Sequence, residues 1–120
     1  MVKAAIYNSI KKLSNHESVE FSLFMKKKGK LIVKSGMLRN IDIRELITYT
    51  ATLYAATIQT NKTLKKKYPK TITIEDPDGY MILMTVDKNH VIVVRTTSLE
   101  DIDELMKMME SSRWTILTEL

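Results

Sequence analysis

Residues 46–60 read LITYTATLYAATIQT and carry no charged side chain. They belong to a chain in which 28% of the residues are charged, and Glu45 and Lys62 stand close to either end of the segment. Its five threonines favour a strand weakly, but a strand of this length would be abnormal in a globular protein. We therefore predict a long helix whose outer face avoids charge, a pattern that favours an interface over a solvated surface.

Local signals mark the ends of this helix. Asp42 followed by Glu45 matches a capping box, with Asn40 as a rival cap. Pro69 cannot continue a helix and biases Tyr68 to extended geometry, so we predict that the helix runs to Tyr68. Bulky side chains recur at helical spacing and form a broad stripe that should face the core. They are Ile43, Leu46, Ile47, Leu53, Tyr54, Ile58 and Leu64.

The rest of the chain predicts two shorter helices and five strands. Residues 2–15 have apolar side chains at helical spacing, and Ser98 should cap a last helix. The strand patterns are SVEFSLFM, KLIVKSG, KTITIED, YMILMTV and HVIVVRT. The first strand alternates, with Glu20 and Ser22 on its polar face. The last two are apolar on both faces, so they should be strands covered on both sides.

This order of elements, α-β-β-α-β-β-β-α, predicts an α+β fold. Two doubly buried strands need a layer on each face of the sheet. We therefore expect a five-stranded antiparallel sheet between the long helix and the two shorter helices, with profilin-like layers. Residues 1–110 should form a single domain, and residues 111–120 are predicted to be a C-terminal tail, which the pattern does not place.

Composition excludes several classes of protein and site. A length of 120 residues suits one domain, and 44% hydrophobic residues suit a globular core. The absence of cysteine excludes disulfides and thiolate metal sites, and it is compatible with a reducing compartment. No run of residues has the pattern of a signal peptide or the length of a membrane span. We expect a cytoplasmic protein.

The sequence also lacks the patterns of catalysis and cofactor binding. Its only glycines are Gly29, Gly36 and Gly79, so there is no glycine-rich phosphate loop. His16 and His90 fall in predicted loops without a nearby acidic cluster, and we expect both to be surface histidines. We therefore expect no catalytic residue, no cofactor, no metal site and no enzymatic activity.

Two lysine-rich segments indicate a different class of function. KKKGK at residues 26–30 and KTLKKKYPK at residues 62–70 belong to a chain with a net charge of +5. Lysines bind phosphates without reading sequence, so the partner could be a nucleic acid or an anionic membrane. Few aromatic side chains accompany these lysines, and no stacking platform for bases is evident. Solvated lysines at a turn and a helix end are therefore favoured over a nucleic-acid site.

The sequence of residues 51–96, ATLYAATIQTNKTLKKKYPKTITIEDPDGYMILMTVDKNHVIVVRT, resembles the Roadblock/dynein light-chain superfamily. The most telling parts are the Ala- and Thr-rich helix and the DGY hairpin followed by HVIVVRT. Together with the order of elements, the resemblance covers about residues 2–110. The longin fold has the same sheet but begins with a strand, whereas here a helix-like segment precedes the first strand.

The resemblance implies a function as well as a fold. Family members dimerise by aligning their long helices and by pairing the edge strand that follows. They regulate small Ras-like GTPases, as a scaffold or as an activator, and the GTPase supplies the nucleotide and the chemistry. We therefore expect a non-enzymatic adaptor that pairs with itself or with a related chain. A structural subunit of a motor or of a membrane-tethered complex is a further alternative.

The residues themselves also indicate where a dimer would form. Opposite its bulky stripe, the long helix is small and uncharged, which suits close approach of a second helix, although a thin solvated face would look the same. The strand KTITIE is amphipathic, and no charged residue lies in its middle to hinder pairing. It should therefore be an edge strand that can pair with another strand. The predicted interface consists of Thr48, Thr52, Ala55, Ala56, Gln59, Thr71 and Thr73.

Overall fold

The computed structural model describes residues 2–98 and 100–120. Within them the helices are α1 (Ala4–Ser14), α2 (Ile43–Thr63) and α3 (Ile102–Glu119). The strands are β1 (Val19–Lys26), β2 (Lys30–Gly36), β3 (Thr71–Asp76), β4 (Gly79–Thr85) and β5 (His90–Thr96). The predicted α-β-β-α-β-β-β-α order and the α+β fold are confirmed.

The strands form one antiparallel sheet in the order β2-β1-β5-β4-β3. The strand β3 lies at an edge, as the sequence predicted, and β1 lies between β2 and β5. The assignment of a polar face to β1 was wrong at Ser22, whose side chain is fully buried. Its hydroxyl donates to the Ile10 carbonyl at 2.7 Å, so the buried group is satisfied and ties β1 to α1.

The sheet has a hydrophobic core on each face. On one face, α1 and α3 pack against β1, β4 and β5, with Phe24, Ile10 and Met109 buried among them. On the other face, α2 packs against the same strands through Ile47 and Tyr54. Each large side chain removed from water contributes on the order of 2 kcal/mol. This double burial is why the sheet needs helices on both sides.

The long helix α2 begins as the sequence predicted. The Glu45 backbone N–H donates to the Asp42 carboxylate at 3.1 Å, which satisfies one of the free donors of the first turn. Ile47 and Tyr54 are buried, as the bulky stripe required. Leu64 was assigned wrongly to that stripe, because it follows the last helical residue and is 61% exposed.

The prediction that α2 runs to Tyr68 was also wrong, since the helix ends at Thr63. Lys65 has a φ of 58°, in the left-handed region. The Lys66 backbone N–H then turns back to donate to the Asn61 carbonyl at 2.7 Å. This hydrogen bond is the mark of a Schellman ending. It stops the helix before the proline without the glycine that usually signals such an end.

The last helix starts later than predicted and extends further. Ser98 does not cap it, because Asp101 occupies the capping position and the Ser98 hydroxyl accepts from the Glu100 N–H at 3.0 Å. Residues 111–119, which the pattern did not place, form the second half of α3. Ile116 in this half is fully buried against the core of the α1 and α3 face.

Candidate interface on helix α2 and strand β3

Threonine hydroxyls along α2 are satisfied within the helix. Five threonine hydroxyls each donate to the carbonyl four residues earlier, at 2.9 to 3.1 Å; the threonines are Thr48, Thr52, Thr57, Thr60 and Thr63. Because each donor is used, the threonines can present their methyl groups outward. A second surface could cover these threonines without leaving their hydroxyl donors unpaired.

The structure divides the predicted α2 residues into two groups. All five are exposed. Thr48 borders a hollow with Gly29 at the β1–β2 turn, and Ala55 and Gln59 line a second hollow, beside lysines of the same turn. Thr52 and Ala56 line neither hollow. Three of the predicted residues therefore lie towards the β1–β2 hairpin.

Tyr49 is a surface residue of α2 that the sequence analysis missed. Its side chain is 69% exposed, although it is large and partly apolar. Residues three and four apart are neighbours on a helix surface, so Tyr49 lies beside Thr52, Leu53 and Ala56. The helix flank that carries Ala51 faces the β1–β2 turn, with the Ala51 Cβ 3.7 Å from an ideal Cβ at position 29. Helical spacing puts Tyr49 on the flank of α2 opposite Ala51, away from the β1–β2 turn.

The signal that could have identified Tyr49 was the uncharged segment itself. A tyrosine in an uncharged segment is expected either in the core or on a surface that a partner covers. Helical spacing puts Tyr49 on a different side of α2 from the buried Ile47 and Tyr54, which leaves the covered surface.

The strand β3 presents an open edge of the sheet. Within the described residues it pairs only with β4. Ile72 and Ile74 pack into the α2 core, whereas Thr73 is exposed and Thr71 is half-buried. Strand alternation puts both threonines on the sheet face opposite α2. The free backbone groups of β3 can therefore accept another strand.

Two hydrogen bonds hold α2 over β4 and fix its position relative to β3. The Tyr54 hydroxyl lies 2.5 Å from the Thr85 hydroxyl of β4. Thr85 Oγ1 in turn donates to the Pro69 carbonyl at 2.6 Å. Burial raises the pKa of Tyr54 above its ordinary value. The tyrosine is therefore a neutral hydrogen-bonding group, and it links the helix, the sheet and the segment that leads into β3.

The two histidines are not the surface residues that the sequence predicted. The His90 side chain is 14% exposed, and its ring stacks on Phe24 with centroids 5.3 Å apart. Its Nδ1 lies 2.8 Å from the Asp87 carboxylate. His16 is 9% exposed at its side chain and lies 2.9 Å from the Ser18 hydroxyl. Both rings are packed and hydrogen-bonded, which gives them structural roles in the turns that they begin or end.

An ion pair links the far end of β3 to β5. Both terminal nitrogens of Arg95 donate to the Asp76 carboxylate, one of them at 2.9 Å. Bidentate pairing of this kind favours the charged carboxylate. The hydrogen bonds from Arg95, with help from the Asp78 backbone N–H, lower the pKa of Asp76 from 3.8 to about 2.

This ion pair makes part of the stability depend on pH. Because the folded pKa of Asp76 lies below its unfolded value, its stabilisation is complete above about pH 4 and is lost as the pH falls towards 2. We expect Asp76→Asn to lower the free energy of unfolding at pH 7, and the difference from the unmodified protein should shrink between pH 4 and pH 2. Urea unfolding at several pH values measures this. Asp78→Asn, in the same turn, is the control, and an equal pH response in both variants contradicts the assignment.

Among the described residues, no helix combines the length and apolar character needed to cross a membrane.

Comparisons with known proteins show likeness in fold. No protein-family model matches the chain, and the search of curated proteins found no match. Among solved structures, MglB of Myxococcus xanthus has a TM-score of 0.92 and 19% identity over 100% of both chains. A Roadblock/LC7 domain from Streptomyces avermitilis has a TM-score of 0.84 and 10% identity over 94% of this chain and 95% of that one.

A third solved structure is described as MglB with a tetrameric arrangement. It has a TM-score of 0.82 and 12% identity over 94% of this chain and 88% of that one. All three likenesses extend over 94% or more of this chain. The chain therefore has the fold of the Roadblock-like superfamily, which its sequence resembles.

Proposed function

We propose that the chain is a non-enzymatic, homodimeric adaptor that regulates a small Ras-like GTPase in the cytoplasm. The observation that carries the proposal is that an exposed, uncharged face of α2 occurs together with an open edge at β3, whose Ile72 and Ile74 pack into the core on the α2 side of the sheet. A two-fold dimer needs a surface that complements itself. A face of small side chains with internally bonded hydroxyls meets that need without repulsion between like charges.

The charges at the ends of β3 favour antiparallel pairing of two copies. In a register centred on Thr73, Lys70 of one copy lies opposite Asp76 of the other, next to Glu75. Within one copy, Arg95 binds Asp76 and Lys70 lies 3.7 Å from Glu110, so the opposite charges across the two strands would set the direction of pairing more than its energy. A parallel arrangement would instead bring like charges together, so the strand itself favours a two-fold axis perpendicular to the sheet.

The long helices would be antiparallel in the same arrangement. Glu45 lies in the first turn of α2 and Lys62 in the last. An antiparallel pair places the acidic end of one helix beside the basic end of the other, which also suits the helix dipoles. Thr52 and Ala56 would lie near the crossing, with Tyr49 beside them. The solved relative with a tetrameric arrangement supports assembly of several copies as a property of this fold.

The GTPase partner rests on the resemblance to the Roadblock superfamily and on the fold. The sequence has no glycine-rich phosphate loop, so the partner would supply the nucleotide and the reaction. The paired α2 helices and the continuous sheet would form the docking surface. A regulator can shift a GTPase between its states only through different affinities for them.

Calorimetry with small GTPases from the same organism tests this proposal. Each GTPase is loaded with GDP or with a non-hydrolysable GTP analogue and titrated with the protein. We expect binding to at least one of them, and no GTP binding or hydrolysis by the protein alone. A preference for the GTP form with faster hydrolysis identifies an activator, and equal affinity identifies a scaffold. Absence of binding to every GTPase, with the dimer intact, contradicts the GTPase assignment.

A further inference from the structure

The two lysine-rich segments of the sequence converge on one hollow in the fold. The end of α2 and the segment after it line a cavity of about 520 Å³, with Lys62, Lys66 and Lys67 at its rim. An adjoining cavity of about 250 Å³ adds Lys27 and Lys28 from the β1–β2 turn. More than thirty residues of sequence separate the two segments. The fold, and not a local run of charge, therefore makes this basic cleft.

The floor of the basic cleft is apolar. Ile58 and Tyr68 line both cavities, and the buried Tyr54 and the small Ala55 line the second one. Tyr68 is 45% exposed, and the Lys27 ammonium lies over its ring at 5.6 Å from the centroid. The cleft thus combines an apolar base with a cationic rim, and its size is within the range of ligand-binding pockets.

The charge of the cleft is not neutralised within the described part of the chain. Among the described residues, the ion pairs of lysine and arginine use Lys3, Lys70, Arg95 and Arg113, and none of them uses a lysine of the cleft. The nearby Asp87 carboxylate does not line the cleft, because it holds His90 and the Asn89 N–H. Lysines gathered without counter-charges repel one another, and an acidic ligand would relieve that repulsion.

We propose that the basic cleft binds an acidic peptide segment of a partner protein, with one apolar side chain seated between Ile58 and Tyr68. Carboxylates on either side of that anchor would pair with the lysines of the rim. A nucleic acid suits the site less well, because Lys27 already covers one face of the only half-exposed aromatic ring in the cleft. A membrane surface is flat and would not reach an apolar floor that lies between a turn and a helix end.

The test uses a fluorescent peptide with a Leu-Phe pair between two blocks of glutamates. We expect the peptide to bind at low salt and binding to weaken as salt screens the charges. Replacing the Leu-Phe pair by Gly-Ser, or the glutamates by glutamines, should each lower the affinity about tenfold or more. The first change tests the apolar floor and the second tests the lysine rim, and neither alters the protein.

A charge-reversed protein locates the site. The double variant Lys28→Glu and Lys66→Glu changes two exposed rim residues and should lower the affinity about tenfold or more. The control is Lys11→Glu with Lys34→Glu, which makes the same change in net charge at exposed positions outside the cleft. Equal loss in both double variants, or no peptide binding at low salt, overturns the proposal.

Two further measurements distinguish other occupants. Tighter binding of a single-stranded RNA or of phosphatidylserine vesicles than of the peptide, lost in the Lys28 and Lys66 double variant, would overturn the peptide assignment. Light scattering that shows a smaller assembly for that double variant than for its control would instead identify a second copy of the chain as the occupant. The proposal requires an unchanged assembly, and its test uses the protein alone, so the result does not depend on whether a GTPase is a partner.

Discussion

Replacing Ala56 by arginine should convert the dimer to a monomer at micromolar concentration. Ala56 is exposed on α2, and it lines neither of the hollows beside the β1–β2 turn. Its two copies would lie near the crossing of the antiparallel helices. Two guanidinium groups there would oppose each other and would lose water against alanine and threonine methyl groups. Disruption at the centre of an interface typically costs 2 kcal/mol or more, which is about a 30-fold loss of affinity.

Light scattering or sedimentation equilibrium measures the effect of Ala56→Arg directly. The unmodified protein should have about twice the mass of its 13.9 kDa chain, and the variant should have the mass of one chain. Circular dichroism should show an unchanged fold, because position 56 is exposed. Ala4→Arg, at an exposed position of α1, is the matched control and should remain dimeric. A variant that stays dimeric contradicts the assignment of α2 to the interface.

Gly36→Ala should be among the most destabilising single substitutions in the chain. Gly36 has a φ of 99°, which side chains rarely adopt. A Cβ there would meet the Glu20 carbonyl oxygen and would lie 2.7 Å from the Phe21 Cα. Both atoms belong to the backbone of β1, a strand buried on both faces, so they cannot move aside cheaply. We expect a loss of about 3 kcal/mol or more in the free energy of unfolding.

Gly29→Ala separates backbone strain from the clash at Gly36. Gly29 has a similar φ of 103°, but an added Cβ would meet only the Ala51 Cβ at 3.7 Å, an ordinary contact. We expect this variant to lose about 1 kcal/mol from the strain of a positive φ alone. Urea unfolding of the two variants measures the difference. Equal losses would mean that close packing of β2 on β1 adds nothing to the cost at Gly36.

Hydrophobic periodicity was enough to predict the order of elements and the position of β3 at an edge. The period of two in KTITIED and the continuous apolar runs of β4 and β5 distinguish an edge strand from covered strands before any contact is known. The Asp42 cap could be predicted for a similar reason, because the donor and the acceptor lie three residues apart in sequence.

The errors concern residues whose environment depends on distant segments. Ser22 looks like a solvent-facing residue, but it is buried because its hydroxyl reaches a carbonyl of α1. His90 is buried because β1 brings Phe24 beneath its ring. Neither contact partner can be recognised from the spacing of residues in the sequence. Tyr49 was missed because exposure of a large side chain can be recognised only after the buried side of α2 is known.

The basic cleft is a further case of the same kind. Each lysine segment alone looks like a solvated turn or helix end, which is how the sequence was interpreted. The early end of α2 at Thr63 frees residues 64–70 to cross towards the β1–β2 turn, where Tyr68 meets Lys27. The apolar floor between the two segments therefore exists only in the folded chain.

Cysteine cross-linking at Thr73 tests the pairing of two copies through β3 most directly. The chain has no cysteine of its own, so a covalent dimer of Thr73→Cys can arise only through the introduced residue. In a register centred on Thr73, the two Cα atoms would be about 5 Å apart, within reach of a disulfide. Lys34→Cys on the other edge strand, β2, is the control. We predict a covalent dimer for Thr73→Cys under mild oxidation and little for Lys34→Cys. Absence of cross-linking at both Thr71 and Thr73, or an equal yield at Lys34, would contradict the two-fold dimer.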